Sequence, residues 1–376
     1  MTSRPSAPVV ARHVRRFRTH PVLRRVALVT TAVLGFTLTS GATAWIRLEN
    51  NIETHDVTDL LGERPELQVT PDPEDPAANR PLNLLILGSD ERTGEDAIGG
   101  AVEGMRSDTT IVAHISADRT RVDLVSIPRD SHVQIPACTR SDGTTTRAQE
   151  GRFNAAFALG AENGDVGDAV ACTLRTVESL TGVYIDGWIV VDFVGFIEMV
   201  EAIGGVEMCL PTDLSSSDAG LDVRAGCQTF DGPTALAFAR ARKGVGLGDG
   251  SDLGRVTRQQ DLMAAMVDKV LSSNLLTDSA GLYRFVSSAT RSLTTDPETG
   301  NIGSIVGLGF SLRGLSGDDL TFMTIPVASY APDPNQVVWT AEAEEVWQNI
   351  ARDLPVTDPA AEPTPTTETT TGGADG

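Results

Sequence analysis

The stretch DTTIVAHISADRTRVDLVSIPRD, residues 108–130, decides the fold class. Polar and apolar residues alternate in DTTIVAHIS and again in RVDLVSIPRD, which is the period of a β-strand. The polar residues ADRT between the two runs predict a turn, so the stretch is predicted to form two consecutive strands. The mostly apolar run LNLLILGSD, residues 82–90, comes before it and predicts a buried strand that opens into a loop.

Strand-like and helix-like patterns continue after residue 130. The predicted elements are helices in FNAAFALGA and AVACTLRTVESLTG, a strand in DGWIVVDF, a helix in VGFIEMVEAIGG, a strand in VEMCLP, a polar loop at 212–233, a long helix at about 252–272, further helices, a strand in LTFMTIPV and a final helix near 340–352. Because strands and helices are mixed in one contiguous run, the sequence predicts a single α/β domain with helices on both faces of its sheet.

A basic segment and an apolar segment open the chain. Residues 1–25 contain seven arginines and no acidic residue, and residues 26–46 are 21 uncharged residues. A helix of that length is about as long as a bilayer's hydrocarbon core is thick. Since arginines precede the apolar segment and acidic residues follow it, we predict a single-pass anchor in the cell membrane, with a cytoplasmic tail and an extracellular body. A signal peptide cleaved after ATA, residues 42–44, is the alternative.

The rest of the chain divides by composition. Residues 47–80 are polar and include TPDPEDPAANRP, which predicts an extended linker. We place the folded domain at residues 81–355 and predict that the low-complexity Thr/Pro tail, residues 356–376, is disordered. The formal charge of the whole chain is −21. Such an acidic chain repels nucleic acid, so we exclude nucleic-acid binding and expect any anionic ligand to be held by a local basic cluster.

The four cysteines form no C-x-x-C motif, and the five histidines show no zinc-ligand spacing. We therefore predict two structural disulfides outside the cytoplasm. Three pairings exist. We favour Cys209–Cys227, which closes a short loop worth about 3 kcal/mol, and by elimination Cys138–Cys172. Buried free thiols are the alternative.

A basic cluster lies in ALAFARARKGVGLGDGSDLGRVTRQQ, residues 235–260. The two arginines of FARAR point the same way only on an extended chain, which predicts an extended segment at 238–242. On the following helix, Arg255 and Gln259 fall on the apolar stripe and Arg258 on its rim. Polar groups there are costly unless they are paired, so the pattern predicts a polar pocket. Guanidinium groups suit phosphate oxygens.

Acidic residues at the ends of predicted strands complete this candidate site. Asp90 ends the first strand, Arg106 and Asp108 begin the second, and Arg129 and Asp130 end the third. Carboxylates beside guanidinium groups are suited to Mg²⁺ and phosphate. The sequence has no P-loop, G-x-S-x-G or H-E-x-x-H motif, so P-loop NTPase, serine esterase and zinc protease chemistry lack support. Solvated arginines that pair with Asp249 and Asp252 are the alternative.

The chain resembles the LytR–CpsA–Psr family of membrane-anchored enzymes from about residue 82 to 272. The resemblance rests on LLILGSD, RSDTTIVAHIS, VSIPRD, FNAAFALG, DGWIVVDFVGFIEMVEAIGGVEM, FDGPTALAFARAR and DLGRVTRQQ, in this order. It implies an α/β/α sandwich with a mixed central sheet and a hydrophobic tunnel for a polyprenyl chain. It also implies an Mg²⁺-dependent phosphotransferase that moves a glycopolymer from an undecaprenyl or decaprenyl pyrophosphate carrier onto peptidoglycan, with pyrophosphatase activity in some members.

The resemblance also implies roles for individual residues. Asp90 and Asp108 are the implied Mg²⁺ ligands, and the implied pyrophosphate-binding residues are Arg106, Arg129, Arg240, Arg242, Arg255 and Gln259. The implied catalytic residues are Arg129, Asp130, Arg240 and Arg242. Arg152 stands before FNAAF where lysine is frequent, which keeps the charge.

The identity of the polymer and two other kinds of function stay open. Only two lysines accompany 28 arginines, which is typical of a GC-rich genome and adds arabinogalactan to teichoic acid as a candidate polymer. A non-catalytic exported protein that binds polyprenyl lipids or regulates the envelope is one alternative function. A structural envelope protein is the other.

Overall fold

A computed structural model describes residues 21–67, 80–89, 105–248, 252–272, 279–291 and 293–356. The chain divides into two units, with the boundary after Arg47. The first unit consists, in its described part, of most of helix α1 (Pro21–Glu49). Its segment Leu28–Glu49 is long and apolar enough to cross a membrane by length and composition. This helix fits the predicted single-pass anchor.

The second unit is a mixed α/β domain. Its strands are β1 (Glu53–Thr54), β2 (Leu82–Ser89), β3 (Ser107–Ile115), β4 (Val122–Ser126), β5 (His132–Ile135), β6 (Gln149–Arg152), β7 (Gly187–Val191), β8 (Val206–Leu210), β9 (Leu214–Ser216), β10 (Leu221–Val223), β11 (Gly226–Phe230), β12 (Leu293–Thr295), β13 (Leu320–Thr324), β14 (Val327–Ser329) and β15 (Val337–Trp339). Its helices are α2 (Thr58–Leu61), α3 (Ala155–Gly160), α4 (Val166–Thr181), α5 (Phe193–Ala202), α6 (Gly232–Arg240), α7 (Asp252–Ser272), α8 (Ser279–Arg291), α9 (Ile302–Ser311) and α10 (Ala341–Ala351).

Seven strands form the central sheet, in the order β1-β12-β7-β2-β3-β4-β13. β2 and β4 are antiparallel to β3, whereas β7 is parallel to β2 and β13 is parallel to β4. The predicted mixed sheet is therefore confirmed. The hairpin of β3 and β4 turns through Arg119, a non-glycine residue with a φ of 60°.

Helices cover both faces of this sheet. Leu85 and Leu87 of β2 and Val112 of β3 are fully buried on one face, in a core that also contains residues of α3, α4 and α10. Ile111 and Ala113 of β3 face the other way, into a cluster that includes residues of α7 and α9. Alternation along the strands thus sends neighbouring residues into opposite layers, and the predicted α/β/α sandwich is confirmed.

Both predicted disulfides are present. Cys138–Cys172 joins the segment after β5 to α4, and Cys209–Cys227 joins directly paired positions of β8 and β11. The predicted polar loop at 212–233 is wrong, because this segment forms β9, β10, β11 and the start of α6. Most residues of this segment are polar, but Leu214, Leu221 and Val223 occupy buried strand positions between them.

The predicted extended linker at 47–80 is wrong in its first part. β1 pairs with β12 at the edge of the central sheet, and Val57 and Leu61 are buried in the core. Two apolar residues four positions apart share one face of the short helix α2, which is enough to attach it to α4. Residues 68–79 and the predicted disordered tail after Val356 lie outside the described residues.

Candidate functional site

Four separate chain segments bring arginines to two carboxylates. The arginines follow β4, end β6, follow α6 and occupy the first turn of α7, and the carboxylates lie in β3 and after β4. The residues are Arg129, Arg152, Arg242 and Arg255 with Asp108 and Asp130. We call these six residues the arginine cluster.

Asp108 receives two of the arginines. Arg129 Nη1 donates a hydrogen bond to Asp108 Oδ1. Arg255 Nη1 lies 3.7 Å from Asp108 Oδ2, and Arg255 Nη2 donates to the Asp108 carbonyl oxygen at 2.9 Å. Arg255 is only 2% exposed. The prediction that Arg255 lies buried on the apolar stripe of α7, with polar partners, is therefore confirmed.

Asp130 is buried among the other arginines of the cluster. Its carboxylate oxygens lie 3.6 Å from Arg129 Nε, 3.2 Å from Arg152 Nη1 and 3.7 Å from Arg242 Nη2. The side chains of Arg152 and Arg242 are 44% and 38% exposed, so both can also reach a ligand in solvent. The two carboxylates thus hold four cations in place, of which Arg152 and Arg242 are the most exposed.

Arg152 is the member of the cluster that the predicted site set omits. It sits at the end of β6, immediately before Phe153, which is buried in the core and fixes its position. Arg152 Nη2 also lies 3.8 Å from Asp333 Oδ2. Hydrogen bonds from Gln336 and Asn335 lower the pKa of Asp333 and keep it charged. The basic residue before the FNAAF motif was the available signal.

The FARAR segment differs from the predicted geometry. The predicted extended segment at 238–242 is wrong, because α6 continues through Arg240 and only Ala241 is extended, at φ −61° and ψ 127°. The N-cap Asp231 accepts a hydrogen bond from the backbone N–H of Thr234 and starts this helix. The Arg240 guanidinium lies 4.7 Å from the ring of Phe193 on α5, whereas Arg242 lies beyond the turn, near Asp130.

Two polar side chains of α7 hold the C-terminal end of α6 and the residue that follows it. Gln259 Nε2 donates to the Ala239 carbonyl oxygen at 3.1 Å, just before Arg240, and Arg258 Nη2 donates to the Ala241 carbonyl oxygen, between Arg240 and Arg242. Burial lowers the pKa of Arg258, and the charge of Asp261 opposes this effect. Gln259 therefore fixes the last turn of α6, and its predicted role as a direct pyrophosphate ligand stays a prediction.

Three other residues of the sequence analysis remain: Arg106, Asp90 and Asp249. Arg106 is exposed and immediately precedes β3. Asp90 and Asp249 lie outside the described residues. Within the described part of the chain, no group of three or more His, Cys, Asp or Glu side chains is placed to hold a metal ion.

α7 connects the arginine cluster to an apolar layer. Eight residues after Arg255, a distance of about 12 Å along the helix axis, Met263 packs against the cluster of β3 and β4 side chains. Between them, Gln260 Nε2 donates to Ser126 Oγ at 3.1 Å and to Thr324 Oγ1 at 3.2 Å. Polar and apolar surfaces thus follow one another along a single helix.

The apolar layer is incompletely covered on this side of the sheet. Leu82, Leu84 and Ile86 of β2 face it and are half-buried, although β2 is a central strand. Leu85 and Leu87, on the opposite face of the same strand, are fully buried. This face of β2 therefore keeps apolar surface that is accessible to solvent.

Comparisons with known proteins agree with this architecture. The model of the LytR_cpsA_psr family matches residues 44–352. The probable cell wall biosynthesis protein LcpB of Corynebacterium glutamicum is 33% identical over 279 residues, which cover 71% of this chain and 60% of LcpB. TagU of Enterococcus faecalis, a polyisoprenyl-teichoic acid–peptidoglycan teichoic acid transferase, is 34% identical over 194 residues, which cover 52% of this chain and 55% of TagU.

A solved structure shows the same fold. The LytR-CPS2A-psr family protein YwtF (TagT) of Bacillus subtilis, with bound octaprenyl pyrophosphate, matches with a TM-score of 0.50 at 20% identity. The match covers 78% of this chain and 97% of that structure. The chain spans about 60% of the length of LcpB. The shared fold therefore does not by itself assign the activity of the full-length relatives to this chain.

Proposed function

The chain belongs to the LytR–CpsA–Psr family, and from that premise we propose that it transfers a glycopolymer from a polyprenyl pyrophosphate carrier onto peptidoglycan. The observation that carries this proposal is the arginine cluster on the same helix, α7, as an incompletely covered apolar layer. Two of the similar proteins support it. TagU is named as a transferase of teichoic acid from a polyisoprenyl-linked donor to peptidoglycan, and the YwtF structure holds an octaprenyl pyrophosphate lipid.

The charge of the cluster suits the pyrophosphate head of such a carrier. The cluster gathers four guanidinium groups around two carboxylates, in a chain whose formal charge is −21. Arginine forks offer paired donors to phosphate oxygens, which favours this ligand over a single carboxylate.

The apolar layer suits the polyprenyl tail. α7 runs from Arg255 at the cluster to Met263 in the layer, so head and tail of an amphiphilic carrier fit along its length. The half-buried Leu82, Leu84 and Ile86 offer apolar surface that a polyprenyl chain covers. We therefore place the predicted lipid tunnel between this face of the sheet and helices α7 and α9.

The proposed reaction is a phosphoryl transfer. A hydroxyl oxygen of peptidoglycan attacks the phosphorus that bears the glycan, a new O–P bond forms, and the bond to the leaving polyprenyl phosphate breaks. Arg129, Arg242 and Arg255 neutralise charge on the phosphate oxygens, so the protein contributes mainly positioning and electrostatics. Asp108 and Asp130 are the carboxylates of the cluster that can accept the hydroxyl proton. Replacing the hydroxyl by water gives the pyrophosphatase side reaction.

Mg²⁺ is the proposed cofactor, and the donor chemistry fits it. Mg²⁺ on a phosphate ligand needs only one or two protein carboxylates, and Asp108 offers a partly exposed one. β2 ends at Ser89, which pairs with Ser107, the residue before Asp108, and the predicted second ligand Asp90 follows Ser89 in the sequence. When bound by Asp108 and Asp90, the ion would supply further neutralisation of phosphate charge.

The remaining parts of the proposal concern location and polymer. α1 anchors the protein in the cell membrane, with the N-terminus in the cytoplasm and the catalytic domain outside, as the arginines before the apolar segment predict. The polymer is left open between arabinogalactan and teichoic acid, and the name of TagU contains the second of these.

The test uses the full chain in detergent with Mg²⁺ and a polyprenyl pyrophosphate. We expect native mass spectrometry to show the lipid bound and phosphate release to depend on the arginine cluster. Arg242→Ala should lower kcat/KM about 100-fold, because it removes a charge that faces the phosphates. The exposed neighbour Lys243 provides the matched control, and Lys243→Ala should change kcat/KM less than twofold.

Two outcomes would contradict the proposal. Lipid binding without any release or transfer would identify a non-catalytic binding module. Equal effects of the Arg242 and Lys243 substitutions would show that the cluster takes no part in the reaction.

A further inference from the structure

Helix α9 carries apolar side chains on two opposite faces. Its ten residues include no charged one. Leu308 faces the sheet and packs in the apolar layer, followed on the same side by Leu312 just after the helix. Val306 and Phe310, four positions apart and therefore on one face, are 54% and 65% exposed. A surface helix normally turns polar residues to water, so this exposed apolar face indicates a partner.

The position of α9 identifies the partner. The chain leaves α1 at Glu49 and enters the central sheet at Glu53, so only residues 50–52 separate the helix from the sheet, and Glu49 and Glu53 lie at most about 14 Å apart. β1 pairs there with β12, which precedes α9 by only a few residues. A Cβ added to Gly300, two residues before α9, would lie 2.9 Å from Thr54 Cγ2. The start of α9 therefore lies beside the strand that directly follows α1.

We propose that the Val306–Phe310 face of α9 inserts into the surface of the bilayer that α1 spans. This inference rests on the proposed membrane anchor and goes beyond it, since it assigns a second, peripheral membrane contact to the folded domain. A tether of three residues keeps the domain near the membrane surface, where an uncharged helix face finds apolar surroundings.

Arg313 supports a bilayer as the occupant. Its guanidinium lies 3.7 Å from the centre of the Phe310 ring. In an inserted helix, the ring enters the acyl boundary and the cation stays at the level of the lipid phosphates. Leu308, on the inner face of the same helix, packs in the apolar layer, where we place the lipid tunnel. Insertion of α9 therefore places the apolar layer next to the membrane from which the carrier comes.

The experiment places a polarity-sensitive fluorophore on the proposed face of the full chain. All four native cysteines are in disulfides, so a single new thiol is labelled under non-reducing conditions. Phe310→Cys carries the probe, and Glu345→Cys, on the exposed side of α10 across the sheet, is the matched control. Both proteins are reconstituted in phosphatidylglycerol–phosphatidylethanolamine vesicles with and without nitroxide-labelled lipids.

We expect a blue-shifted emission and strong quenching by nitroxide lipids at position 310, and neither effect at position 345. Flotation of the vesicles is measured on the same samples. Floating protein whose label at 310 is no more quenched than at 345 would overturn this inference alone. A label that is shielded but unquenched would also overturn it, in favour of a protein partner. Protein that does not float would overturn the membrane anchor and this inference together.

Discussion

Replacing Asp130 by asparagine should weaken the fold and strengthen anion binding at the same time. Asp130→Asn keeps the shape of the side chain and removes its charge. The arginine cluster then keeps its four guanidinium groups and loses one of its two carboxylates, so its charge becomes more positive by one. Mutual repulsion of the arginines opposes folding, whereas a bound anion relieves that repulsion.

The size of both effects follows from the exposure of the partners. Breaking a buried ion pair costs about 3–5 kcal/mol, but Arg152 and Arg242 are 44% and 38% exposed and can turn to water. Only Arg129, 17% exposed, keeps most of the penalty. We expect a loss of about 2 kcal/mol in the free energy of unfolding. One additional charge near the phosphates should tighten anion binding by about 1 kcal/mol, or about fivefold.

The assay measures thermal unfolding and calorimetric binding of inorganic pyrophosphate with the full chain in detergent. A Tm lower by about 5 °C and a Kd about fivefold lower are expected for Asp130→Asn. Glu345→Gln, an equal change of charge on the exposed side of α10, should leave both values unchanged. Weaker pyrophosphate binding by Asp130→Asn would refute the idea that the positive charge of the arginine cluster holds the ligand. High salt should reduce the affinity difference.

Two further predictions concern the other side of the sheet. Replacing Cys138 and Cys172 together by serine opens a loop with a sequence separation of 34 and should cost about 4 kcal/mol, measured by urea unfolding; a loss below about 1 kcal/mol would contradict this. Burial lowers the pKa of His114, which contacts Asn83 and Asp353, below its ordinary 6.5. As the pH falls below 6.5, His114 becomes protonated in the unfolded chain before it does in the folded chain. The free energy of unfolding is therefore highest above pH 6.5 and decreases as the pH falls further. His114→Gln should flatten the unfolding free energy between pH 7 and 5, and an unchanged slope would count against this assignment.

Long elements with a clear period could be predicted from the sequence. The helix predicted at 252–272 spans those residues in the structure, because its apolar stripe is continuous. The strands of 108–130 are equally clear, since both of their faces are buried. The region 212–233 was predicted as a loop because β9 and β10 are only three residues long, too short for a period to emerge from a polar background.

The site was predictable where its residues end regular elements. Asp108, Arg129 and Asp130 lie at strand ends, and Arg255 lies on the stripe of α7, so their convergence follows from the topology of the sheet. FARAR was misread because the rule for residues two apart assumes one conformation, whereas α6 ends between the two arginines. Arg152 carries no periodic signal of its own, and only the tertiary fold brings it to Asp130.

The hydrogen bond from Arg255 to the Asp108 carbonyl joins residues 147 positions apart. Its donor is among the last parts of the cluster to be synthesised, so a nascent chain that ends before α7 has no closed anion site. Under the proposed function, pyrophosphate affinity therefore reports completed tertiary structure. Ligand-dependent protection from proteolysis should then arise in one step, together with global folding.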